Sequence, residues 1–108
     1  MFAVIYQGYV KPDREEEYEM LWRLIASYFI EKRGALGSTL HRASDGRWLA
    51  YSRWPDKATR DASWPGENSS SEELPNEIRS AIAALKDCVQ QNNSIPEICL
   101  DVVHDFMS

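Results

Sequence analysis

The sequence has few of the features that mark membrane, secreted or nucleic-acid-binding proteins. No run of apolar residues approaches the roughly 18 that a bilayer-spanning helix needs. The short apolar run after Met1 has no basic leader, so we expect no secretory signal peptide. Basic residues are in deficit, with 12 Lys and Arg against 17 Asp and Glu, which gives a net charge of −5. This charge argues against nucleic acid and an anionic membrane surface as partners.

Cysteine and glycine are also scarce, and their spacing excludes several kinds of site. Cys88 and Cys99 are the only cysteines, and they have neither a C-x-x-C pair nor a nearby pair of histidines, which excludes a structural zinc site. We expect two reduced, buried cysteines in a cytoplasmic protein. The 5 glycines are scattered, so no glycine-rich loop supports a nucleotide cofactor. The sequence therefore predicts no metal site and no cofactor.

Aromatic residues, by contrast, are abundant, with 4 Trp, 5 Tyr and 3 Phe in 108 residues. That length corresponds to a single domain spanning residues 1–108. A domain of this size buries roughly two-thirds of the surface that its unfolded chain exposes, which suffices for one hydrophobic core. The aromatic rings therefore either fill this core or line a binding site.

The first third of the chain has strong local signals. Residues 2–10 are rich in β-branched and aromatic side chains on both faces, which predicts a strand that is covered on both sides. A long amphipathic helix follows, with Asp13 as its N-cap and Glu16 as the capping-box partner. Gly34 supplies the residue that ends this helix.

The middle of the chain predicts a hairpin and a short helix. The dipeptide Asp45-Gly46 lies between two runs of alternating side chains, residues 38–43 and 48–54. It predicts a hairpin, because the tight turn between two such strands needs a positive φ. Asp56 follows the second strand and caps a short helix.

The last third predicts a polar surface loop at 65–73, a second long amphipathic helix and a closing strand within 95–107. The resulting order is β-α-β-β-α-β with a short extra helix. This order is typical of a ferredoxin-like α+β fold, a four-stranded antiparallel sheet with helices on one face. Because the other face also carries apolar residues, we predict that a second copy covers it and that the protein is a homodimer.

Gln7 and Trp64 point most directly to a binding pocket. Gln7 lies in the middle of an apolar strand, where a buried amide costs about 1–3 kcal/mol unless its hydrogen bonds are met. It either meets them structurally or is the polar anchor of an apolar pocket. Trp64 ends the short helix, and it either packs in the core or lines the pocket. Trp22, Trp48 and Trp54 are most simply explained as core residues.

Four segments of the chain carry a family resemblance. They are VKPD after the opening strand, the long helix with its glycine-containing turn, the block LHRASDGRWLAYSRWPDKATRDASW and the closing ICLDVVHDFM. Together they cover nearly the whole chain, and the stretch from His41 to Trp64 is the most specific. In these segments the chain resembles the antibiotic biosynthesis monooxygenase superfamily. The resemblance implies a dimeric α+β barrel, made when two ferredoxin-like sheets pack face to face.

The resemblance also implies a class of function. Active members of the family include cofactor-independent quinol oxygenases and haem-degrading monooxygenases, whose pocket lies between sheet and helices. The haem-degrading branch uses a strand Asn, a Trp on the short helix and a His on the next helix. Gln7 stands at the Asn position and Trp64 matches the Trp, but residues 65–91 contain no histidine. Haem degradation is therefore disfavoured, and a cofactor-independent monooxygenase acting on a quinol-like or polycyclic aromatic molecule is implied.

The resemblance points to Gln7 and Trp64 as the catalytic residues, the first orienting a substrate oxygen and the second stacking on its ring. We also predict Tyr9, His41 and Trp22 as substrate-binding residues. Arg42 is the alternative to His41, because the two face opposite sides of their strand. Two alternatives stay open: a small-ligand-binding or stress-associated dimer with the same pocket and no chemistry, and a purely structural interaction module.

Overall fold

The computed structural model describes residues 1–63, 74–90 and 95–105. The strands are β1 (Phe2–Gly8), β2 (Gly37–Arg42), β3 (Trp48–Trp54) and β4 (Ile98–Asp101). The helices are α1 (Glu15–Lys32), α2 (Lys57–Ser63) and α3 (Asn76–Asp87), and a short 3-10 turn at Pro12–Arg14 precedes α1. None of the helices in these ranges combines the length and apolarity needed to cross a membrane. Trp64 and the predicted loop 65–73 lie outside the described residues.

Strand β1 lies in the middle of one sheet, whose strand order is β2-β3-β1-β4. It runs antiparallel to β3, with Phe2 opposite Trp54 and Gly8 opposite Trp48, and antiparallel to β4, with Phe2 opposite Asp101. Strand β2 completes the sheet as the antiparallel partner of β3. The predicted α+β class and ferredoxin-like arrangement are confirmed.

The core lies between one face of the sheet and helices α1 and α3. Its main cluster combines side chains from β1, β3 and both helices: Phe2, Val4, Trp54, Ile25, Phe29, Ile78 and Ile82. The ring of Phe29 meets that of Trp54 edge to face, with 6.2 Å between the centroids. A second cluster contains Trp48, Tyr18 and Cys88. Trp48 and Trp54 are therefore core residues, as predicted.

The opposite face of the sheet carries apolar side chains that the described helices do not cover. Alternation along β1 places Ala3 and Ile5 on this face. The register brings Leu100 and Ile98 of β4 beside them, and these two side chains are 36% and 41% exposed. Among the described residues, helices thus cover one face of β1, and its other face lacks the predicted cover.

The start of α1 differs from the prediction. The helix begins at Glu15, its N-cap is Arg14, and no side chain caps it. The predicted capping box of Asp13 and Glu16 is therefore wrong. The physical reason is Pro12, which begins a separate 3-10 turn in which the Arg14 amide donates to the Lys11 carbonyl at 2.9 Å, so Asp13 lies inside that turn.

Three other local signals are confirmed. Gly34 follows α1 with a φ of +83°, and the amide of Ala35 donates back to the Phe29 carbonyl at 3.2 Å. Gly46 takes a φ of +90° in the hairpin turn between β2 and β3. Asp56 caps α2, because its carboxylate accepts the Thr59 amide at 2.7 Å, and this hydrogen bond lowers the pKa of Asp56.

Strands β1 and β4 are shorter than the apolar pattern predicts. Strand β4 covers only Ile98–Asp101 of the predicted 95–107, because β1 begins opposite Asp101 and offers no further strand to pair with. Lying at this edge, Cys99 is exposed, so the prediction of two buried cysteines is correct for Cys88 and wrong for Cys99. Val10 lies beyond β1 and forms an isolated bridge with Val89 instead.

The end of α1 offers a test of backbone conformation. Replacing Gly34 with Ala should lower the free energy of unfolding by about 1 kcal/mol, because an L side chain is strained at a φ of +83°. Gly37→Ala is the matched control, since Gly37 has no positive φ and an added Cβ meets nothing within 4 Å. Urea unfolding measures both variants, and equal midpoints would contradict the prediction.

Candidate functional site

A cavity of about 510 Å³ lies between the helix-facing side of the sheet and the helices α1 and α3. Its apolar wall is made of aromatic and aliphatic side chains from β3, α1 and α3, namely Trp54, Trp22, Ile25, Phe29, Ile82 and Leu85. Residues 95–97, which lead into β4, close one side. A mostly apolar cavity of this size, with a few polar groups, is the usual form of a small-molecule site.

The cavity exists because small side chains meet at its centre. Ser38 of β2 and Ser52 of β3 are direct cross-strand partners, and Ala50 lies two residues from Ser52 on the same face. Ala26 of α1 also lines the cavity. Larger side chains at these positions would fill the space with core, so the sequence leaves room where sheet and helix face one another.

A buried arginine lies at the polar end of the cavity. Arg60 of α2 is only 7% exposed, and its Nη2 donates to the Tyr6 hydroxyl at 3.2 Å. Arg60 also forms ion pairs with the carboxylates of Glu97 and Asp61. Tyr6 and Glu97 both line the cavity, whereas Arg60 does not. Arg60 therefore links β1 to the segment before β4 from outside the cavity. Sequence analysis missed Arg60, because an arginine on a short polar helix is normally exposed.

Burial and charge set the ionisation states at this end. Burial raises the pKa of the Tyr6 phenol, and the hydrogen bond from Arg60 only partly offsets it, so Tyr6 is neutral at physiological pH. Burial lowers the pKa of Arg60, but the hydrogen bond to Tyr6 and the charge of Glu97 outweigh it and raise that pKa overall. The site therefore presents a neutral phenol that is hydrogen-bonded to an ion-paired arginine.

Gln7 already has hydrogen-bond partners within the chain. Its Oε1 accepts from Arg47 Nη1 at 3.0 Å, and its Nε2 donates to the Pro96 carbonyl at 3.4 Å. Alternation directs its side chain to the face opposite that of Tyr6, although the residue borders the cavity. These bonds match the structural alternative for Gln7, and a contact between its amide and a ligand stays a prediction.

Of the other predicted site residues that the structure describes, Trp22 alone lines the cavity. His41 does not, because it points to the open face of the sheet, where its Nε2 lies 2.8 Å from Thr39 Oγ1. Tyr9 follows the end of β1 and does not line the cavity either; its carbonyl accepts the Gln90 amide at 2.8 Å. Trp64 lies outside the described residues, so its role stays a prediction.

The buried cavity residue Tyr18 predicts a loss of stability in alkali. Burial raises the pKa of this phenol from 10.0 to about 12. The folded state therefore holds the proton more tightly, and the associated stability, about 2–3 kcal/mol, is complete below pH 10 and lost between pH 10 and 12. Urea unfolding across this pH range should show a shallower decline for Tyr18→Phe than for the unmodified protein. An equal decline of the unfolding free energy in both proteins would show that folding does not raise the pKa of Tyr18.

The Arg60 connection predicts a large effect from one substitution. Arg60→Met should lower the free energy of unfolding by roughly 1–3 kcal/mol, because Glu97 loses its ion-pair partner and Tyr6 loses a hydrogen bond. Arg23→Met on α1 removes the same charge from an exposed position and should leave unfolding unchanged. Chemical denaturation compares the two, and equal losses would contradict the assigned role of Arg60.

Comparison with known proteins identifies the family of this chain. A profile of the family described as antibiotic biosynthesis monooxygenase matches residues 1–63, more than half of the chain. A search of curated proteins found no match. A solved structure of an antibiotic biosynthesis monooxygenase superimposes with a TM-score of 0.70 at 18% identity, covering 96% of this chain and 100% of the other.

Two further solved structures share the fold. A mutant of SnoaB, a cofactor-independent oxygenase from Streptomyces nogalater, gives a TM-score of 0.71 at 14% identity and covers 99% of this chain and 97% of its own. A conserved protein from Methanosarcina mazei Go1 gives 0.70 at 12% identity, covering 92% and 89%. By its sequence profile and its fold, the chain belongs to the antibiotic biosynthesis monooxygenase family.

Proposed function

We propose that the protein is a cofactor-independent monooxygenase that oxidises a quinol-like or polycyclic aromatic molecule in the cavity between sheet and helices. The observation that carries the proposal is an aromatic-walled cavity with a neutral phenol at one end, hydrogen-bonded to a buried, ion-paired arginine. Family membership and the fold shared with SnoaB, itself a cofactor-independent oxygenase, support the same chemistry.

The proposed reaction balances without an added reductant. In an anthrone-like substrate, which carries a ring CH₂ group, one atom of O₂ replaces both hydrogens of that group and forms a carbonyl. The other atom leaves as water with those two hydrogens, and the substrate carbon supplies all the electrons. Such a reaction begins with ionisation of the reduced ring, which makes it electron-rich enough to react with O₂.

The residues at the polar end suit this first step. A hydrogen bond from a phenol stabilises the anion that a substrate hydroxyl forms when it ionises. Tyr6 borders the space that the substrate oxygen would occupy, and the hydrogen bond from Arg60 orients its hydroxyl. Trp22 supplies an aromatic surface for the ring. Gln7 and Trp64 remain the catalytic residues that the family resemblance implies.

The open face of the sheet supports a homodimer. Ile5 of β1 and the half-exposed Ile98 and Leu100 of β4 lie together there. A second copy that packs sheet to sheet would remove these side chains from water, and closed two-fold symmetry would leave no apolar face exposed. We expect this dimer in the cytoplasm, bound to a small aromatic molecule and to neither nucleic acid nor membrane.

One observation favours a second candidate function. Because the Gln7 amide is already bonded to Arg47 and Pro96, the cavity can hold an aromatic ligand without a substrate-orienting amide. The protein would then be a non-catalytic ligand-binding dimer of the same fold.

Oxygen uptake with a panel of reduced quinols and anthrones tests the proposal. The unmodified protein should consume O₂ with at least one substrate, and Ala26→Phe, which fills the cavity from α1, should reduce the rate at least tenfold. Ala83→Phe is the matched control, since it makes the same change on an exposed position of α3. Gln7→Ala and Trp64→Ala test the predicted catalytic pair.

The outcomes separate the two candidates. In the first outcome, the substrates quench tryptophan fluorescence, Ala26→Phe abolishes the quenching, and no O₂ is consumed. This result would establish ligand binding and rule out the enzyme. Neither quenching nor uptake would rule out both.

A further inference from the structure

A second concave surface lies at the edge of the sheet, on the other side of Trp22 from the cavity. It is an open groove of about 450 Å³ between α1 and β2. Helix α1 contributes Glu19, Trp22 and Arg23, strand β2 contributes residues 40–42, and β3 contributes Trp48. Gln7, the predicted catalytic residue that the structure describes, does not line it.

Local geometry determines which side chains face the groove. Glu19, Trp22 and Arg23 are three and four residues apart, so they share one face of α1. On β2, alternation sends Leu40 and Arg42 toward the helix and His41 to the opposite face, where it meets Thr39. The cationic side chains of the groove are therefore Arg23 and Arg42.

One of these two arginines is held in place and the other is free to bind. The Arg42 guanidinium lies 5.3 Å from the centroid of the Trp48 ring and 3.5 Å from the Glu15 carboxylate, so packing and charge both orient it. Arg23 is exposed and forms no ion pair with any residue in the described ranges. The one carboxylate that lines the groove, that of Glu19, pairs with neither arginine.

Charge and surface chemistry select the ligand. Two guanidinium groups meet two carboxylates here, Glu15 beside Arg42 and Glu19 in the lining, so the groove is not acidic although the whole chain carries a net charge of −5. Arg23 supplies the guanidinium that no carboxylate of the described residues pairs with. The Trp22 indole and the Leu40 side chain also line the groove and give it an apolar surface. Guanidinium groups bind carboxylates through paired hydrogen bonds, and an indole face stacks on planar rings.

We propose that this groove is a second binding site, selective for a planar aromatic ring that carries a carboxylate. The ring lies on Trp22 and Leu40, and the carboxylate accepts hydrogen bonds from Arg23 and Arg42. The site does not depend on catalysis in the cavity. Trp22 lines both spaces, so the two ligands would contact the same indole.

The probe for this site is 2-naphthoate, with 2-naphthamide as its uncharged isostere. Methyl NMR of the full-length protein locates the probe, because Leu40 lines only the groove and Ile82 only the cavity. We expect naphthoate to shift the Leu40 methyl signals and leave those of Ile82 in place. Naphthamide should bind at least about fivefold more weakly, and added salt should weaken naphthoate alone.

Substitutions identify the groups that recognise the charge. Arg23→Gln and Arg42→Gln should each weaken naphthoate binding about fivefold, the loss expected for one exposed charge-assisted contact. Lys32→Gln removes one positive charge from an exposed position elsewhere on α1 and serves as the matched control.

Three results would overturn the proposal: equal binding of naphthoate and naphthamide, equal effects of the arginine variants and Lys32→Gln, or shifts at Ile82 instead of Leu40. Oxygen uptake with the panel of reduced quinols and anthrones, measured on the same protein preparation, is a separate readout. A protein that binds naphthoate in the groove and consumes no O₂ with any member of that panel would contradict the proposed enzyme function without affecting this site.

Discussion

The whole molecule depends on one stripe of side chains, the helix-facing residues of β1. Phe2 and Val4 form the middle of the core under α1 and α3, and Tyr6 continues the same stripe into the cavity wall. Since β1 is an inner strand, paired on both edges, its register sets the depth at which Tyr6 lies. The core and the candidate site are therefore successive parts of one surface. Hydrophobic burial stabilises the core and thereby also positions the candidate site.

Arg60 adds a polar constraint to this apolar framework. It joins α2 to β1 through Tyr6 and to the segment before β4 through Glu97. Buried ion pairs contribute little net stability, because desolvation offsets most of their attraction, but removing one partner is costly. The contribution of Arg60 is thus mainly positional, since few other arrangements of these three elements satisfy both of its partners.

Trp22 divides the surface under α1 into two environments. On one side lies the internal cavity with small residues such as Ala50 and Ser52, and on the other lies the groove with Arg23 and Arg42. The first suits a ring with few charges, and the second suits an acidic ring. A single indole shared by both gives them a direct physical contact, through which occupancy of one can affect the other.

Local patterns in the sequence determined the elements, their order and the fold family, because apolar periodicity, the positive φ of Gly34 and Gly46 and the Asp56 cap act within a few residues. The same patterns misplaced the start of α1, where Pro12 favoured a separate turn. The tertiary structure alone decided the burial of Arg60, the partners of Gln7 and the exclusion of His41 from the cavity. Arg60 and Tyr6 are 54 positions apart, and Gln7 and Arg47 are 40 apart, so no local signal links them. Such contacts follow from strand register and side-chain direction, which exist only once the sheet has formed.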